Sequence, residues 1–529
     1  MRICDSPHDI RQPEEDCFSP THLIELSPCS PECSSECSSE CCGFTLRLKK
    51  NIQGPVSYAA LSYCWGGNQR LKATKSNIHE LLNSIPYAEM PATLQDAAKV
   101  AFDLNFRFIW IDALCLIQDL DINEVHTLVA EIPNIYRYAT LTIAAQSSHA
   151  AGEGFLHPRD IRKSEECTFD DTCELQIAIK NLGGKSGFAM LSLYYAYDYK
   201  PINDRAWTLQ EQVLSQRYLK FSNITTKWQS YKNGFKDECG ADENLSSRQL
   251  VSSPLDCDKL ICDWNILNSS QDLNTHKRHD VWIELVSQYT RRSLSNPEDR
   301  PIAISALANV FGDAQDYIAG LWLSKLCYGL CWRQVHPSDN ILSGYYAPSW
   351  SWWSVREEVD WDSRINKMHQ EPGFRLVEYE SKLAHLSAPV GYLVDASLRV
   401  EARCGKVFVS AHELGEYRSD ERIKLKYGTF GSVEWSGNDY RNSNNILWDR
   451  RGMCFKGQIL RILVLFVSSK RHIGVFGLLL TDDKSGENEH GNRCRRVGTL
   501  HVTNFGEDKE MANFIDWLKE QPVETLTLV

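Results

Sequence analysis

The sequence predicts an α/β amino-terminal domain over residues 21–235, an open sheet with flanking helices, followed by a helical region over 236–345 and a β-rich region over 346–529. Three observations carry this reading. Strand-like and helix-like segments alternate from residue 21 to about 235, the pattern of a sheet covered by helices. In HDVWIELVSQYTRRSL (279–294), Val281, Trp282, Leu285, Val286 and Tyr289 recur at helical spacing. From about 346, GKVFVSAH (405–412), RILVLFVSS (461–469), IGVFGLLLT (473–481) and RVGTLHVTNF (496–505) are separated by Gly, Asn and Asp clusters, which reads as strands and turns.

Residues 1–20 read as a flexible leader. THLIEL (21–26) and FTLRLKK (44–50) read as short strands, which makes the Cys/Ser-rich insertion 27–43 a long hairpin connection. SYAALSYCWGG (57–67) predicts a buried strand whose Gly66–Gly67 pair turns the chain sharply. Thr93, with Asp96 three residues on, predicts a helix cap close to a capping box. Leu94, Ala97, Ala98, Ala101 and Leu104 form the apolar stripe of that helix, and Gln95, Lys99 and Asp103 its wet face. FRFIWI (106–111) predicts an interior strand, TLTIAA (140–145) a second, and YLKF (218–221) a third. IAISALANVF (302–311) and AGLWLSKLCYGLCW (319–332) predict two further helices. DKEMANFIDWLKE (508–520) predicts an amphipathic one near the carboxyl terminus.

Composition narrows the function classes. The 529 residues are 43% hydrophobic and 24% charged, which is ordinary for a folded protein with real cores. A net charge of −12 argues against a nucleic-acid partner, whose phosphates demand a basic stripe. The nearest basic run, RCRRVG (493–498), reads as a strand end with solvated arginines. No run reaches ~18 apolar residues, so no membrane span is expected; ILRILVLFVSS (459–469) carries Arg461 and reads as a buried strand. No apolar signal segment opens the chain, so a cytoplasmic location is expected, with most of the 19 cysteines as free thiols. Seven of them lie in the first 42 residues, four at steps of four in CSPECSSECSSECC. That repeat lacks the close paired knuckles of structural zinc sites and reads as a low-complexity loop, with no metal implied.

Four segments hold the candidate site residues. Tyr63, Cys64 and Trp65 sit at the carboxyl end of the first buried strand, where open α/β sheets place their ligands. Asp112 ends the FRFIWI strand, a costly place for a carboxylate unless it is hydrogen-bonded or functional. A turn cap and a site role both fit it, and Cys115, Gln118 and Asp119 follow in a polar loop. PNIYRYATLTIAAQSS (133–148) reads as core and is assigned no chemistry. In DRAWTLQEQVLSQRYLKFS (204–222), Trp207, Leu209, Val213 and Leu214 suit a partly buried helix. Arg205, Gln210 and Glu211 are its notable polar residues, and Glu211 reads either as a carboxylate catalyst or as the partner of Arg205 or Arg217.

Together YAALSYCWGG (58–67), FIWIDALCLIQDLD (108–121), the IY pair at 135–136 and DRAWTLQEQVLS (204–215) resemble the heterokaryon-incompatibility (HET) family in order and spacing. YYAPSWSWWSV (345–355) looks like the PSWSW-type element downstream in many such proteins, and reads as a packing hub between domains. The resemblance implies a role in fungal non-self recognition, with the domain as a cell-death effector switched on by a protein partner or by self-association. Because HET domains have been compared with TIR domains, it also implies a TIR-like sheet and NAD as a candidate substrate. Glu211 and Asp112 are then the candidate catalytic carboxylates. Tyr63, Trp65, Trp110, Cys115, Gln118, Arg205, Trp207 and Gln210 are candidate binding residues, with Trp65 or Trp110 to stack on the rings. One departure stands out. Where family members often carry Trp, Glu and Met before the IY pair, this chain has Val125, Leu128 and Ile132.

Two rival readings accompany this one. A thiol hydrolase would use Cys64 or Cys115 with His79, His126, His149 or His157. A non-catalytic adaptor would oligomerise through the α/β domain. NLGGKSG (181–187) is not a phosphate loop, because Ile179 stands where the first glycine is needed.

Overall fold

A computed structural model describes residues 18–29, 43–120, 131–157, 174–180, 186–192, 201–223, 226–230, 234–236, 275–294, 296–336, 347–383, 393–413, 422–429, 431–436, 445–449, 454–468, 473–483, 492–504 and 509–529. The chain divides into two compact units, Met1–Asp272 and Leu273–Val529.

In the first unit, β1 (His22–Pro28) pairs antiparallel with β2 (Phe44–Lys50), from His22 opposite Lys50 to Pro28 opposite Phe44. The expected strands flanking the cysteine-rich insertion therefore form; the repeat itself lies almost wholly outside the described residues. β3 (Ala59–Ser62) is buried at every position. Two helices follow it, α1 (Ile78–Asn83) and α2 (Ala92–Asp103). Next come β4 (Phe108–Trp110), the one-turn helix α3 (Asp112–Cys115), a helix through 131–138 (α4) and β5 (Leu141–Ala145). A separate hairpin joins β6 (Glu174–Lys180) to β7 (Ser186–Ser192). The unit continues with α5 (Trp207–Leu214), β8 (Arg217–Phe221), β9 (Thr226–Ser230) and β10 (Gly234–Lys236).

The main sheet has the order β10-β9-β8-β5-β3-β4-β1-β2. Its centre, β4-β3-β5-β8, is parallel, and the flanking strands are antiparallel. The connection leaving β3 runs to β4 on one side, and the one leaving β5 runs to β8 on the other. Adjacent strands whose connections diverge leave a crevice beyond their carboxyl ends, where ligands of open α/β sheets bind.

Two local expectations are corrected in this unit. Thr93 and Asp96 do not cap α2, whose N-cap is Pro91. They hold the loop after β5 instead: Thr93 Oγ1 accepts from Gly154 N at 3.2 Å, and Asp96 Oδ2 accepts from Phe155 N and Leu156 N at 2.6 and 3.0 Å. A carboxylate one turn into a helix thus serves a neighbouring loop's amides. Gln95 is also not fully wet; its Nε2 donates to Tyr87 O and Met90 O. The apolar stripe is as expected, with Leu94, Ala97, Ala98 and Ala101 buried.

The second unit opens with α6 (Thr275–Thr290) and α7 (Ile302–Phe311), as the periodicity predicts. The third expected helix does not run through 319–332. Ala319 and Gly320 both adopt positive φ, closing a tight turn between β11 (Tyr317–Ile318) and β12 (Leu321–Trp322). A 3-10 turn (Leu323–Lys325) and one α-helical turn, α8 (Leu326–Gly329), remain before β13 (Trp332–Gln334), which pairs with β14 (Val359–Trp361).

The large sheet comprises β15 (His369–Gln370), β16 (Arg375–Leu383), β17 (Leu393–Glu413), β18 (Arg422–Tyr427), β19 (Gly431–Ser436), β20 (Asn445–Trp448), β21 (Ile459–Ser468), β22 (Ile473–Asp482), β23 (Arg493–Asn504) and β24 (Val523–Leu528). The pairings β17–β21, β21–β22, β22–β23, β23–β24 and β24–β17 return to their starting strand, so these five strands close as a barrel does. The amphipathic helix α9 (Lys509–Glu520) buries Met511, Phe514, Ile515 and Leu518 in the same core as Leu460, Ile462 and Leu500.

The tryptophan-rich segment is a hub inside this unit. Trp350 Nε1 donates to Leu528 O and Trp352 Nε1 to Gly320 O, tying the sheet's last strand to the 319–332 region. The arginines of RCRRVG are corrected too. Arg495 is exposed, but Arg496 is buried, lies 3.5 Å over the Trp332 ring and is bidentate to Asp449 at 2.9 and 3.1 Å. Its remaining donors take Leu330 O and Trp332 O. Arg496→Ala strands a buried carboxylate and is expected to cost about 3–5 kcal/mol. Calorimetry of the intact chain should show one transition moving down, and the double variant Arg496→Met/Asp449→Leu should recover most of the loss. A shift below about 1 kcal/mol would contradict the pairing's role.

Candidate functional site

The crevice beyond β3 is built from three short elements. β3 ends on Ser62, the one polar side chain in an apolar strand, and its hydroxyl donates to Glu211 Oε2 at 2.5 Å. Tyr218 on β8 lies behind, its hydroxyl 3.4 Å from Ser62 Oγ. Glu211 is placed by α5, whose entry is tied by Thr208 Oγ1 donating to Ile202 O and Arg205 O. The exit of α5 is held by Ser215 Oγ, which donates to Glu211 O at 2.6 Å and meets Thr142 Oγ1 at the same distance.

The second carboxylate, Asp112, stands at the carboxyl end of β4, next to β3 in the sheet. Its Oδ1 accepts from Ala113 N and its Oδ2 from Trp65 Nε1, both at 2.7 Å. The N-cap of α3 is Ile111, so Asp112 is the first residue of that turn and not its cap. Arg205 Nη1 donates to Tyr63 O, which brings its guanidinium within electrostatic reach of both acids. Gly66 makes the Trp65 turn possible. Its φ is +69°, and a Cβ there would lie 2.1 Å from Ala150 Cβ, so only glycine fits.

These surroundings shift the acids upward. Burial is the main cause that raises the Glu211 carboxyl to about 7, with Asp112 adding to it; Ser62, Arg205 and Tyr136 pull the other way. Burial also raises Asp112, opposed by Trp65, Arg205 and Tyr63. A carboxyl raised to about 7, with a second raised carboxyl and a guanidinium close by, can accept, donate and stabilise positive charge. Among the described residues no group of three or more His, Cys, Asp or Glu could hold a metal ion.

The other sequence candidates fall around this centre. Tyr63 is buried, its hydroxyl pushed up first by burial and then by Asp112. Trp65 is half-buried. Trp110 does not offer a face to a ligand: it is 1% exposed and packs edge-on against Tyr136 at 5.6 Å. Cys115 is buried in α3, and Gln118 Nε2 donates to Asp112 O and Leu116 O, bracing the turn that carries the acid. Trp207 opens α5 half-buried. Gln210 is buried, and neither end of its amide has a hydrogen-bond partner among the described residues. Ser62, Tyr136 and Tyr218 were not singled out by sequence; a lone hydroxyl inside AALS and the IY pair were the available signals.

The thiol reading loses its physical basis. Burial pushes Cys64 up to about 11 and Cys115 up to about 12, away from the low values a nucleophilic thiol needs. His79, His149 and His157 are exposed, and His126 lies outside the described residues, as do Val125 and Leu128.

Fold and crevice together define an α/β domain that presents a carboxylate pair at the diverging ends of parallel strands. Residues 58–211 match the family model described as heterokaryon incompatibility protein (HET), and the chain carries a HET domain. The match begins one residue before β3 and ends on Glu211, so it encloses every site residue expected from the sequence, while Ser215 and Tyr218 lie beyond it. Neither a curated protein nor a solved structure matches the chain.

The raised Glu211 has a stability signature. Its folded value, about 7, exceeds the ordinary 4.5, so the folded state holds more protons between those values. Its stabilising contribution is complete below about 4.5 and is lost as pH rises through about 7. Glu211→Gln is therefore expected to stabilise the protein at pH ~8 by on the order of 2 kcal/mol, and to flatten that pH dependence. Melting temperatures of wild type and variant that stay parallel across this range would refute the shift.

Proposed function

We propose that this chain is an effector or signalling module of fungal non-self recognition, whose HET domain triggers growth arrest or cell death once a protein partner or self-association engages it. The support is the family match over residues 58–211. No helix among the described residues is long and apolar enough to cross a membrane. The domain extends over residues 21–235 in this reading, with β1 and β2 on one side of the matched stretch and β8 to β10 on the other, and we compare its sheet with that of TIR domains. The central parallel order β4-β3-β5-β8 supports that comparison. Inducible expression of the whole chain in a fungal host should halt growth, and Glu211→Ala should relieve the arrest. Normal growth at matched protein levels would rule out the effector role.

A second reading is favoured by one observation, the Glu211 carboxyl raised to about 7 beside Asp112 and Arg205. In it the domain hydrolyses NAD. The bond between ribose C1′ and nicotinamide nitrogen breaks, its electron pair leaves with neutral nicotinamide, and ionised Glu211 stabilises the oxocarbenium-like ribose. Water then bonds to C1′ and gives its proton to a carboxylate. Trp65 and Tyr63 line the approach, while Trp110 supports the wall from within. Purified protein incubated with NAD should release nicotinamide, faster as pH rises through about 7 where Glu211 ionises. Glu211→Ala should lower the rate by at least ~10²-fold. Absence of release from both dilute and forced-oligomer protein would select the non-catalytic adaptor instead.

A further inference from the structure

β3 ends on a side chain that does more than fill the core. Ser62 is fully buried, and the other three residues of its strand are apolar. A hydroxyl is costly in such a place unless it is hydrogen-bonded. Ser62 has two partners: its proton goes to Glu211 Oε2 at 2.5 Å, and its oxygen receives the Tyr218 hydroxyl at the longer distance of 3.4 Å. A serine hydroxyl has one proton to give. With Tyr218 behind it, that proton is directed at the carboxyl. Oε2 is then the accepting oxygen of Glu211, and Oε1 is left to take up and release a proton.

The backbone holds this arrangement in place. Thr142 on β5, the neighbour of β3, meets Ser215 Oγ at 2.6 Å, and Ser215 Oγ donates to Glu211 O. The helix turn that carries the carboxyl is thereby pinned to the same group of strands as Ser62. The other groups around Glu211 act differently. Arg205, ahead of α5, spends Nη1 on Tyr63 O and reaches the acid as a nearby charge; Asp112, after β4, does so with the opposite sign. Tyr136 on α4 donates its proton to Leu61 O at 3.0 Å, so it serves the carboxyl as a donor only by releasing β3. Burial pushes the Tyr63 hydroxyl well above its ordinary value and Cys64 up to about 11, so both are neutral near pH ~7.

We propose that Ser62, backed by Tyr218, is the positioning residue that sets the pH at which Glu211 releases its proton and selects Oε1 as the oxygen that releases it. This rests on the reading of Glu211 as the carboxylate that carries the chemistry of the domain. A neutral hydroxyl suits the task. A guanidinium bonded directly to the acid would hold it ionised throughout the neutral range. A hydroxyl favours the ionised form without fixing it, so the same carboxyl can hold a proton at one step and lose it at the next.

Infrared difference spectroscopy of the full chain, with Glu211→Gln as the blank, follows the protonated carboxyl through its C=O band. In the wild type that band should fade as pH rises through about 7. Ser62→Ala should move the midpoint upward by about one pH unit, the size of one lost hydrogen bond to a carboxylate. Ser62→Thr, which keeps the hydroxyl, should restore it. Tyr218→Phe leaves Ser62 in place and should move the midpoint in the same direction by less; an unmoved midpoint there would remove Tyr218 from the assignment. A midpoint unchanged in Ser62→Ala, or displaced equally in Ser62→Ala and Ser62→Thr, would overturn the role of Ser62. Nicotinamide release separates this from the reading it rests on. Its pH profile should move with the band in Ser62→Ala while KM for NAD stays the same. A moving band with no release from any form would sink NAD hydrolysis and leave the role of Ser62 standing. Release with an unmoved pH profile in Ser62→Ala would do the reverse.

Discussion

The hydrogen bond from Ser62 to Glu211 is where the central strand of the first unit meets the helix α5, and the candidate site follows from it. β3 has only four residues, all buried, and three are apolar. Its last side chain is a hydroxyl aimed at a carboxyl that is itself sunk into the domain. A buried carboxyl without donors would be prohibitive; with Ser62 at 2.5 Å and Tyr136 beside it, the group is retained but held above its ordinary protonation range. The same contact fixes α5 over the carboxyl end of the parallel strands. Asp112 is brought there by the neighbouring strand β4. Backbone topology thus assembles two acids from residues 99 positions apart in sequence, 112 and 211.

The second unit answers a similar problem with cations. Arg496 is buried but spends its guanidinium on one carboxylate, two carbonyls and the face of Trp332. Arg461, on a core strand, reaches out to Asp482 and Glu524. Arg300 differs, since it donates to two uncharged backbone oxygens, Val355 O and Glu357 O. Of these three arginines, Arg496 and Arg461 have a carboxylate within hydrogen-bond distance, and Arg300 has none among the described residues.

The strongly patterned parts of the fold were readable in the sequence. β3, β4 and β5 are compact, largely apolar runs, and α2, α6 and α9 show their stripes plainly. What misled was chemistry that depends on distant partners. Thr93 and Asp96 have the spacing of a cap, yet their acceptors are claimed by amides near residue 155. AGLWLSKLCYGLCW has enough apolar residues for a helix, but Ala319 and Gly320 adopt a left-handed turn that no periodicity reveals. Arg496 sits in a polar-looking string, and only the tertiary approach of Trp332 and Asp449 explains its burial. At the site, Glu211, Asp112, Arg205 and Trp65 were legible as unusual polar or aromatic residues beside apolar strands. Ser62, Tyr136 and Tyr218 were not, because a strand's period tells which face a residue is on and not which helix covers that face.

The loop after β5 links parts that look unrelated along the chain. Trp65 O accepts from Ala151 N, Ala151 O accepts from Thr93 N, and Asp96 grips Phe155 and Leu156 from the same helix. Lys99 and Asp103, three and seven residues after Asp96, follow it along the same exposed side of that helix. Helix, loop and indole are consequently one mechanical piece. Pressure applied to the outer surface of α2 has a hydrogen-bonded route to the Trp65 indole, and through its Nε1 to Asp112.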